Sequence, residues 1–215
     1  MIKGVIFDFD GVIVESVDIK TNSFAKLFES EGEKAVKEII DYHLLNSGVS
    51  RFEKFRYIYN NILKRELSDE IFTNLCNRFS ELVTEEVIKA PFVKGAKEFL
   101  HSYKKAYAFF VSTATPQIEI EFIIRKRNIA DYFRGIYGAP IEKSNIVERI
   151  IKDNNFLPQE LVYIGDAISD YKAACANSVN FIARINNNEY IFDATSDCIK
   201  IKNLIGLNEI ISEYC

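Results

Sequence analysis

Apolar positions along the chain fall into two kinds of pattern. Residues 2–9, 106–111, 161–164 and 179–185 are short, nearly unbroken apolar runs rich in β-branched or aromatic side chains. That is the pattern of strands buried on both faces of a sheet. A further short strand is expected at 135–137. Between these runs, Ile118, Phe122 and Ile123, and later Ile146, Val147, Ile150 and Ile151, recur at the spacing of one helix face. Strand alternating with helix predicts an α/β fold with a doubly wound, Rossmann-like parallel sheet covered by helices.

One stretch breaks the alternation. From 16 to 89 the chain carries four helical patterns and no strand: Phe24, Leu27 and Phe28; Val36, Ile39, Ile40 and Leu44; Phe52, Phe55, Tyr59 and Ile62; Ile71, Leu75, Phe79 and Leu82. An all-helical unit inserted after the first strand sits over the carboxyl ends of the sheet, where doubly wound folds bind their ligands. The expected organisation is a core domain of residues 1–15 and 90–215 with an inserted helical cap domain of residues 16–89. Gly11 and Glu15 on the way out, and Pro91 and Gly95 on the way back, are the expected hinges, and Asn186, Asn187 and Asn188 are expected to form a surface turn.

The chemistry gathers at strand ends. Asp8-Phe9-Asp10-Gly11 closes the first apolar run, and residues two apart in extended backbone point to the same side. Carboxylates crowded in this way repel unless a cation or a shared proton relieves them. A hard divalent cation with oxygen ligands does so, and Mg²⁺ is the usual choice beside phosphate. Gly165-Asp166-Ala167-Ile168-Ser169-Asp170 follows a second buried run. In a parallel sheet both strand ends open on one edge, so Asp166 and Asp170 are expected to face Asp8 and Asp10. Ser112 follows Phe109-Phe110-Val111 and offers a hydroxyl and a backbone N–H to a phosphoryl oxygen, with Thr113 beside it as a further substrate contact. Thr115 and Pro116 have the form of an N-cap and first helical residue. Lys143, before another helical pattern, brings an ammonium able to neutralise both a phosphate and the carboxylates.

Composition narrows the partners. The 215 residues are 48% hydrophobic and 27% charged, the balance of a globular protein with one sizeable core and room for an accessory module. A formal net charge of -4 argues against broad neutralisation of nucleic acid phosphates. Cys76, Cys175, Cys198 and Cys215 are scattered with no CxxC pair, which suggests neither a zinc site nor a disulfide framework but reduced thiols. No apolar stretch approaches the roughly 18–20 residues of a membrane span, and Asp8 and Asp10 interrupt the N-terminal run, so a cytoplasmic protein is expected.

Taken in order, Asp8-Phe9-Asp10-Gly11-Val12, Ser112, Lys143 and Gly165-Asp166 with Asp170 resemble the four motifs of the haloacid dehalogenase superfamily. The resemblance spans essentially the whole chain. It implies a hydrolase acting on a small phosphorylated metabolite, a sugar phosphate or phosphorylated acid. Asp8 would attack phosphorus to give an aspartyl phosphate, while Asp10 would protonate the leaving alcohol and then activate water. Asp8, Asp166 and the Asp10 backbone carbonyl would hold Mg²⁺, with Asp170 as a ligand or a partner through water. Dehalogenases resemble the pattern without the second aspartate, so Asp10 favours phosphoryl transfer.

The helical insert is similar to the small cap of the branch containing phosphoglycolate phosphatase and beta-phosphoglucomutase. Gly48-Val49-Ser50-Arg51 resembles the cap segment that reaches toward substrate in the mutase group, which makes Arg51 a candidate for holding a remote anionic group. The alternative is that Arg51, Lys54 and Arg56 form a solvated face beside Phe52 and Phe55. Lys20 stands where the mutase pattern has a histidine; it would meet an anionic substrate group or lie solvated on its helix. A phosphomutase and a phospho-accepting signalling module are the alternative functions, and the protein is expected to act as a monomer or dimer.

Overall fold

The computed structural model describes residues 1–185, 192 and 198–213. The turn expected at Asn186, Asn187 and Asn188, and the thiol of Cys215, lie outside them. Six strands, β1 (Gly4–Phe7), β2 (Ala108–Pro116), β3 (Phe133–Ala139), β4 (Leu161–Gly165), β5 (Asn180–Arg184) and β6 (Ile199–Ile201), form one parallel sheet in the order β3-β2-β1-β4-β5-β6. The chain builds outward from β1 to β3, then returns to lay β4 on the other side of β1. The order therefore reverses between β1 and β4, and the loops leaving these two strands part around a crevice.

Alternation along the strands sorts side chains onto the two faces. Val5, Phe7, Phe109, Val111, Val162 and Ile164 pack with α5 (Ala96–Tyr103), α6 (Gln117–Lys126) and α9 (Leu207–Ser212) through Phe99, Leu100, Ile120, Ile123, Ile124 and Ile211. Ile6, Phe110, Leu161, Tyr163 and Phe181 pack with α7 (Lys143–Asn154) and α8 (Ile168–Ala176) through Ile146, Val147, Ile150, Ala173 and Ala174. Burial on both faces explains why the strands have no polar alternation of their own.

The segment between β1 and α5 folds as the four helices expected: α1 (Val17–Leu27), α2 (Glu33–Leu45), α3 (Arg51–Tyr57) and α4 (Asp69–Lys89). Ser50 and Ser68 cap α3 and α4, their hydroxyls accepting the N–H groups of Glu53 and Ile71, both at 3.3 Å. A π-helical turn, Ile58–Leu63, continues α3. Phe24 of α1 lies at the centre of this insert, with ring centroids 4.4 Å from His43, 5.7 Å from Phe55 and 4.6 Å from Phe79. These side chains are continuous with the apolar cluster on the α5/α6 face of the sheet.

The two crossings between insert and sheet are tied to each other. The Glu15 N–H donates to the Pro91 carbonyl at 2.9 Å and the Val93 N–H to that of Ile13 at 3.0 Å. Arg127, just after α6, donates to the carbonyls of Val87, Ile88 and Ala90 at the end of α4, where Val87 also accepts the Ala90 N–H. Arg184 at the end of β5 donates to the Gly11 carbonyl at 3.0 Å and grips Glu15 with two N–H groups at 3.2 and 2.7 Å.

Several boundaries differ from the sequence pattern. The first strand is shorter than residues 2–9, and the strand expected at 135–137 extends over Phe133–Ala139. The strand expected to end at 111 runs on to Pro116, with a register shift against β3 between Ser112 and Pro116. Consequently α6 begins at Gln117, and Thr115 is not its N-cap: the Thr115 hydroxyl instead donates to Asp10 at 3.0 Å. The strand β6 was not expected, because three residues carry too little periodicity to register. Among the described residues no helix is long and apolar enough to cross a membrane, and Cys76 and Cys175 are unbridged.

Phe55 is fully buried and packs edge to face on Phe79, with centroids 6.0 Å apart. Phe55→Ala is therefore expected to lower unfolding free energy by about 3–5 kcal/mol, the usual cost of a buried ring removed. Urea denaturation followed by circular dichroism checks this, and a loss under about 1 kcal/mol would mean that the insert closes around the cavity.

Candidate active site

The site is built where the strand order reverses. Phe7 pairs with both Val111 and Ile164, and the Asp8 N–H donates to the Ile164 carbonyl at 2.9 Å, so Asp8 leaves the sheet between β2 and β4. Lys143, the first residue of α7, donates to Asp8 Oδ2 at 2.9 Å and to Asp170 Oδ1 at 2.7 Å. The Tyr163 hydroxyl lies 2.8 Å from Asp170 Oδ1 and 3.1 Å from the Ser112 carbonyl, while the Ala167 N–H donates to Asp170 Oδ2 at 3.1 Å. One ammonium thus joins residues 135 and 27 positions away from it in the chain.

Asp166 completes the group. One oxygen from each of Asp8, Asp166 and Asp170 lies within 4.8 Å of the other two. Gly11 permits this approach: its φ is +74°, and a Cβ there would lie 2.2 Å from Asp166 Oδ2. Burial pushes the Asp8 carboxyl up to about 7, Lys143 opposing the rise and Asp170 and Asp10 adding to it. Burial, with Asp8 and Asp170 beside it, raises Asp166 well above the usual carboxylate range. Burial opposes the charge on Lys143, but Asp170 and Asp8 outweigh it and hold the ammonium above its ordinary value. Among the described residues Asp166 accepts no hydrogen bond, so the protein's own donors leave this edge short of positive charge.

Asp10 is held differently. Ser16 donates to its Oδ1 at 2.6 Å, and Thr115 and Lys20 both donate to Oδ2; Lys20 also donates to the Thr115 hydroxyl at 2.8 Å. Burial raises the Asp10 carboxyl, but the Lys20 ammonium and these hydrogen bonds more than offset that and hold it below its ordinary value. Ser112 is fully buried and its Oγ has no hydrogen-bond partner. Such a hydroxyl is costly to bury unless a ligand supplies its partner. Thr113 is also buried, its hydroxyl accepting the Thr115 N–H at 3.2 Å.

The insert forms the opposite wall. A Cβ on Gly48 would lie 2.0 Å from Ser169 Oγ, which donates to the Gly48 carbonyl at 3.1 Å; the insert loop therefore rests directly on the Asp166–Asp170 loop. Arg51 is buried and donates to Ser80 Oγ at 2.7 Å and to both carboxylate oxygens of Glu119 at 2.9 and 2.5 Å, its guanidinium 4.6 Å from the Phe79 centroid. Lys54 is buried with its Nζ 3.0 Å from His43 Nδ1 and 3.3 Å from the Ser47 carbonyl. Burial and the neighbouring Lys20 and Lys143 push Lys54 down to about 7, and burial beside Lys54 pushes His43 down to about 2, so His43 is neutral. A cavity lies between the walls. Asp8, Asp10, Asp166, Thr113 and Thr115 line the sheet side, and Lys20, His43, Gly48, Arg51, Lys54 and Phe79 the insert side.

A family profile described as haloacid dehalogenase-like hydrolase matches residues 5–184. The chain belongs to the haloacid dehalogenase-like hydrolases. It is 26% identical over 178 residues to the phosphorylated carbohydrates phosphatase of Thermotoga maritima, covering 80% of each chain. It is 25% identical over 185 residues to the D-ribitol-5-phosphate phosphatase of Bacteroides thetaiotaomicron, covering 79% of this chain and 85% of that one. A crystal structure of beta-phosphoglucomutase from Clostridium difficile superposes with a TM-score of 0.81 at 19% identity, covering 100% of this chain and 97% of that one, and shares the fold.

In this hydrolase Asp8, Asp10, Asp166, Asp170, Lys143, Ser112 and Thr113 gather at the carboxyl edge of the sheet, as the motif order predicts. Arg51 and Lys54 do not form a solvated face; both are turned inward, and only Arg56 of the three is exposed. Lys20 is not solvated either but reaches across to Asp10. The sequence reading missed Ser16, Thr115, Tyr163 and Glu119. Thr115 carries a signal, a hydroxyl three residues after Ser112, but Pro116 behind it gives it the form of a helix cap. Glu119 carried none, since a polar residue between Ile118 and Phe122 looks like the solvent side of a helix.

The depressed Lys54 gives a pH dependence whose sign is fixed. The folded value of about 7 lies below the ordinary 10.5, so between these limits the unfolded chain holds the extra proton. Stability from this group therefore increases as pH rises through that window. Lys54→Met lacks the effect. The melting-temperature difference, variant minus wild type, is expected to shrink by several degrees from about pH 7.5 to about pH 10, at roughly 2–4 °C per kcal/mol. A difference independent of pH would mean that Lys54 stays protonated in the folded protein.

Proposed function

We propose that this hydrolase is a phosphatase of small phosphorylated carbohydrates working through an aspartyl phosphate on Asp8. The observation that carries this reading is the combination of Asp8, the Lys143 ammonium beside it and the buried, unpartnered hydroxyl of Ser112 at one strand edge. These supply a nucleophile, a charge to meet a phosphoryl oxygen and a donor awaiting one. The names of the two curated relatives support the substrate class. In the same reading residues 16–89 are a cap that closes over the substrate and residues 1–15 and 90–215 the catalytic domain.

In the first step an Asp8 carboxylate oxygen bonds to phosphorus, the bond from phosphorus to the ester oxygen breaks, and the departing alkoxide takes a proton from Asp10. In the second, Asp10 takes a proton from water, whose oxygen bonds to phosphorus and releases Asp8 with inorganic phosphate. Asp10 as held by Lys20 is ready to accept a proton. A phosphate dianion beside it raises its proton affinity, since like charge disfavours the ionised form. The donor set fits a hard divalent cation: all oxygen, anionic, with Asp166 lacking a donor of its own. Asp8, Asp166 and the Asp10 carbonyl would hold Mg²⁺. Both Asp170 oxygens already accept hydrogen bonds, which favours Asp170 as a partner through water. Bound there, Mg²⁺ supplies the positive charge that lets an anionic nucleophile approach an anionic phosphate.

The phosphatase reading is preferred to a phosphomutase because Lys20 replaces the histidine of the mutase pattern and is committed to Asp10 and Thr115.

EDTA is expected to abolish hydrolysis of p-nitrophenyl phosphate and Mg²⁺ to restore it; full activity in chelator would remove the metal from this account. Asp8→Asn is expected to abolish turnover and the acid-stable transfer of labelled phosphate to protein. Asp10→Asn should lower the rate by about 10²–10⁴, the range of one general acid–base group. Near wild-type turnover in Asp8→Asn would exclude covalent catalysis through Asp8.

A further inference from the structure

Arg51 is the cavity-wall cation that a second anionic group on a substrate would seek, and it is already neutralised. Glu119, in the first turn of α6, takes it through two N–H groups, and Ser80 donates to the same carboxylate at 2.6 Å. The side chains of Arg51 and Glu119 are 4% and 9% exposed. The pair also bridges insert and sheet domain, since Arg51 begins α3 and Glu119 lies on α6.

We propose that Glu119 is a specificity-determining residue that restricts the site to phosphate esters whose far end is neutral. The proposal rests on the phosphatase reading and names its substrate class: monophosphates of polyols or sugars, as against bisphosphates and phosphorylated acids. A carboxylate or second phosphate reaching Arg51 must displace Glu119 or share the guanidinium with it. Displacement strands a buried carboxylate, and sharing sets two anions side by side; either costs binding energy. A hydroxyl imposes neither cost. The guanidinium has five N–H groups, of which three are used by Ser80 and Glu119, so two remain for a neutral oxygen. Lys54 does not substitute as an anion receptor, because its Nζ is engaged by His43 and the Ser47 carbonyl, and Lys20 is engaged by Asp10. The wall thus rejects one ligand class by an unpaired charge rather than by size.

Sorbitol 6-phosphate and 6-phosphogluconate form a matched pair, differing only in a hydroxymethyl or a carboxylate at the far end. Each is measured as a competitive inhibitor of p-nitrophenyl phosphate hydrolysis by the Mg²⁺-loaded protein. Wild type is expected to bind the neutral-ended ester at least about tenfold more tightly. Glu119→Gln, which keeps the shape and a hydrogen bond to Ser80, is expected to move the ratio at least about tenfold toward 6-phosphogluconate. Adding Arg51→Met to that variant should cancel the gain, because the released guanidinium is what receives the carboxylate. A wild type with no preference for the neutral end overturns the proposal, and this measurement stands even if Glu119→Gln loses its cooperative melt. An unchanged ratio in a folded Glu119→Gln overturns it too. Failure of wild type to hydrolyse the aryl phosphate at all would instead remove the phosphatase reading, and the proposal with it.

Discussion

The ammonium of Lys143, buried between Asp8 and Asp170, is the contact on which the rest of the site depends. Three loops meet there: those from β1 and β4 bring carboxylates into one poorly solvated volume, and that from β3 brings the cation between them. A buried pair that loses one partner typically costs about 3–5 kcal/mol, because an uncompensated charge remains. Lys143 does not fully balance the group: Asp166 and Asp8 are both pushed toward protonation. The fold therefore holds an anionic edge with a partial internal counter-charge. In the proposed mechanism that imbalance is what would draw a divalent cation, and the cation would in turn make room for phosphate.

Asp8 and Asp10 are two residues apart and chemically alike, yet their surroundings drive them in opposite directions. Asp8 has one ammonium and two neighbouring carboxylates, whereas Asp10 has Lys20, Ser16 and Thr115. Only Asp8 sits among the other acidic groups; Asp10 is turned toward the insert. In the proposed mechanism the nucleophile thus belongs to the sheet and the proton-transfer group to the junction. Lys20, on the first helix of the insert, ties the position of that helix directly to Asp10. Any movement of α1 away from the sheet would remove its ammonium and raise the proton affinity of Asp10.

The floor of the cavity was legible in the sequence because it is local chemistry placed by a regular frame. Apolar runs ending in Asp8-Phe9-Asp10 and Gly165-Asp166 state both the strand and what leaves it, and a parallel sheet puts such ends on one edge. The four insert helices were legible for the same reason, as repeats of a single face. The wall was not. Arg51 and Lys54 sit on a short helix with charges on both sides, where periodicity does not separate solvent from cavity. The partner that buries Arg51, Glu119, is 68 residues away, and no local pattern carries a contact of that range. Thr115 failed for a different reason. A hydroxyl before proline is a good helix cap in isolation, and the extension of β2 to Pro116 overrode it.

The two walls share their labour unevenly, and the charges show how. Every cation on the insert side has a partner within the protein: Lys20 with Asp10, Arg51 with Glu119, and Lys54 with a neutral histidine and a carbonyl. The unmet demands lie on the sheet side, where Ser112 has a hydroxyl without a partner and Asp166 a carboxyl without a donor. A ligand entering this cavity therefore gains most where its own charge is concentrated, at the phosphoryl group, and meets a polar but compensated surface elsewhere. Binding energy at the reacting end acts where bonds change, whereas an equally strong remote anchor would hold ground and transition states alike. A wall of satisfied ion pairs is thus consistent with an enzyme that takes its orientation from the phosphate and its selectivity from what the wall declines to pair.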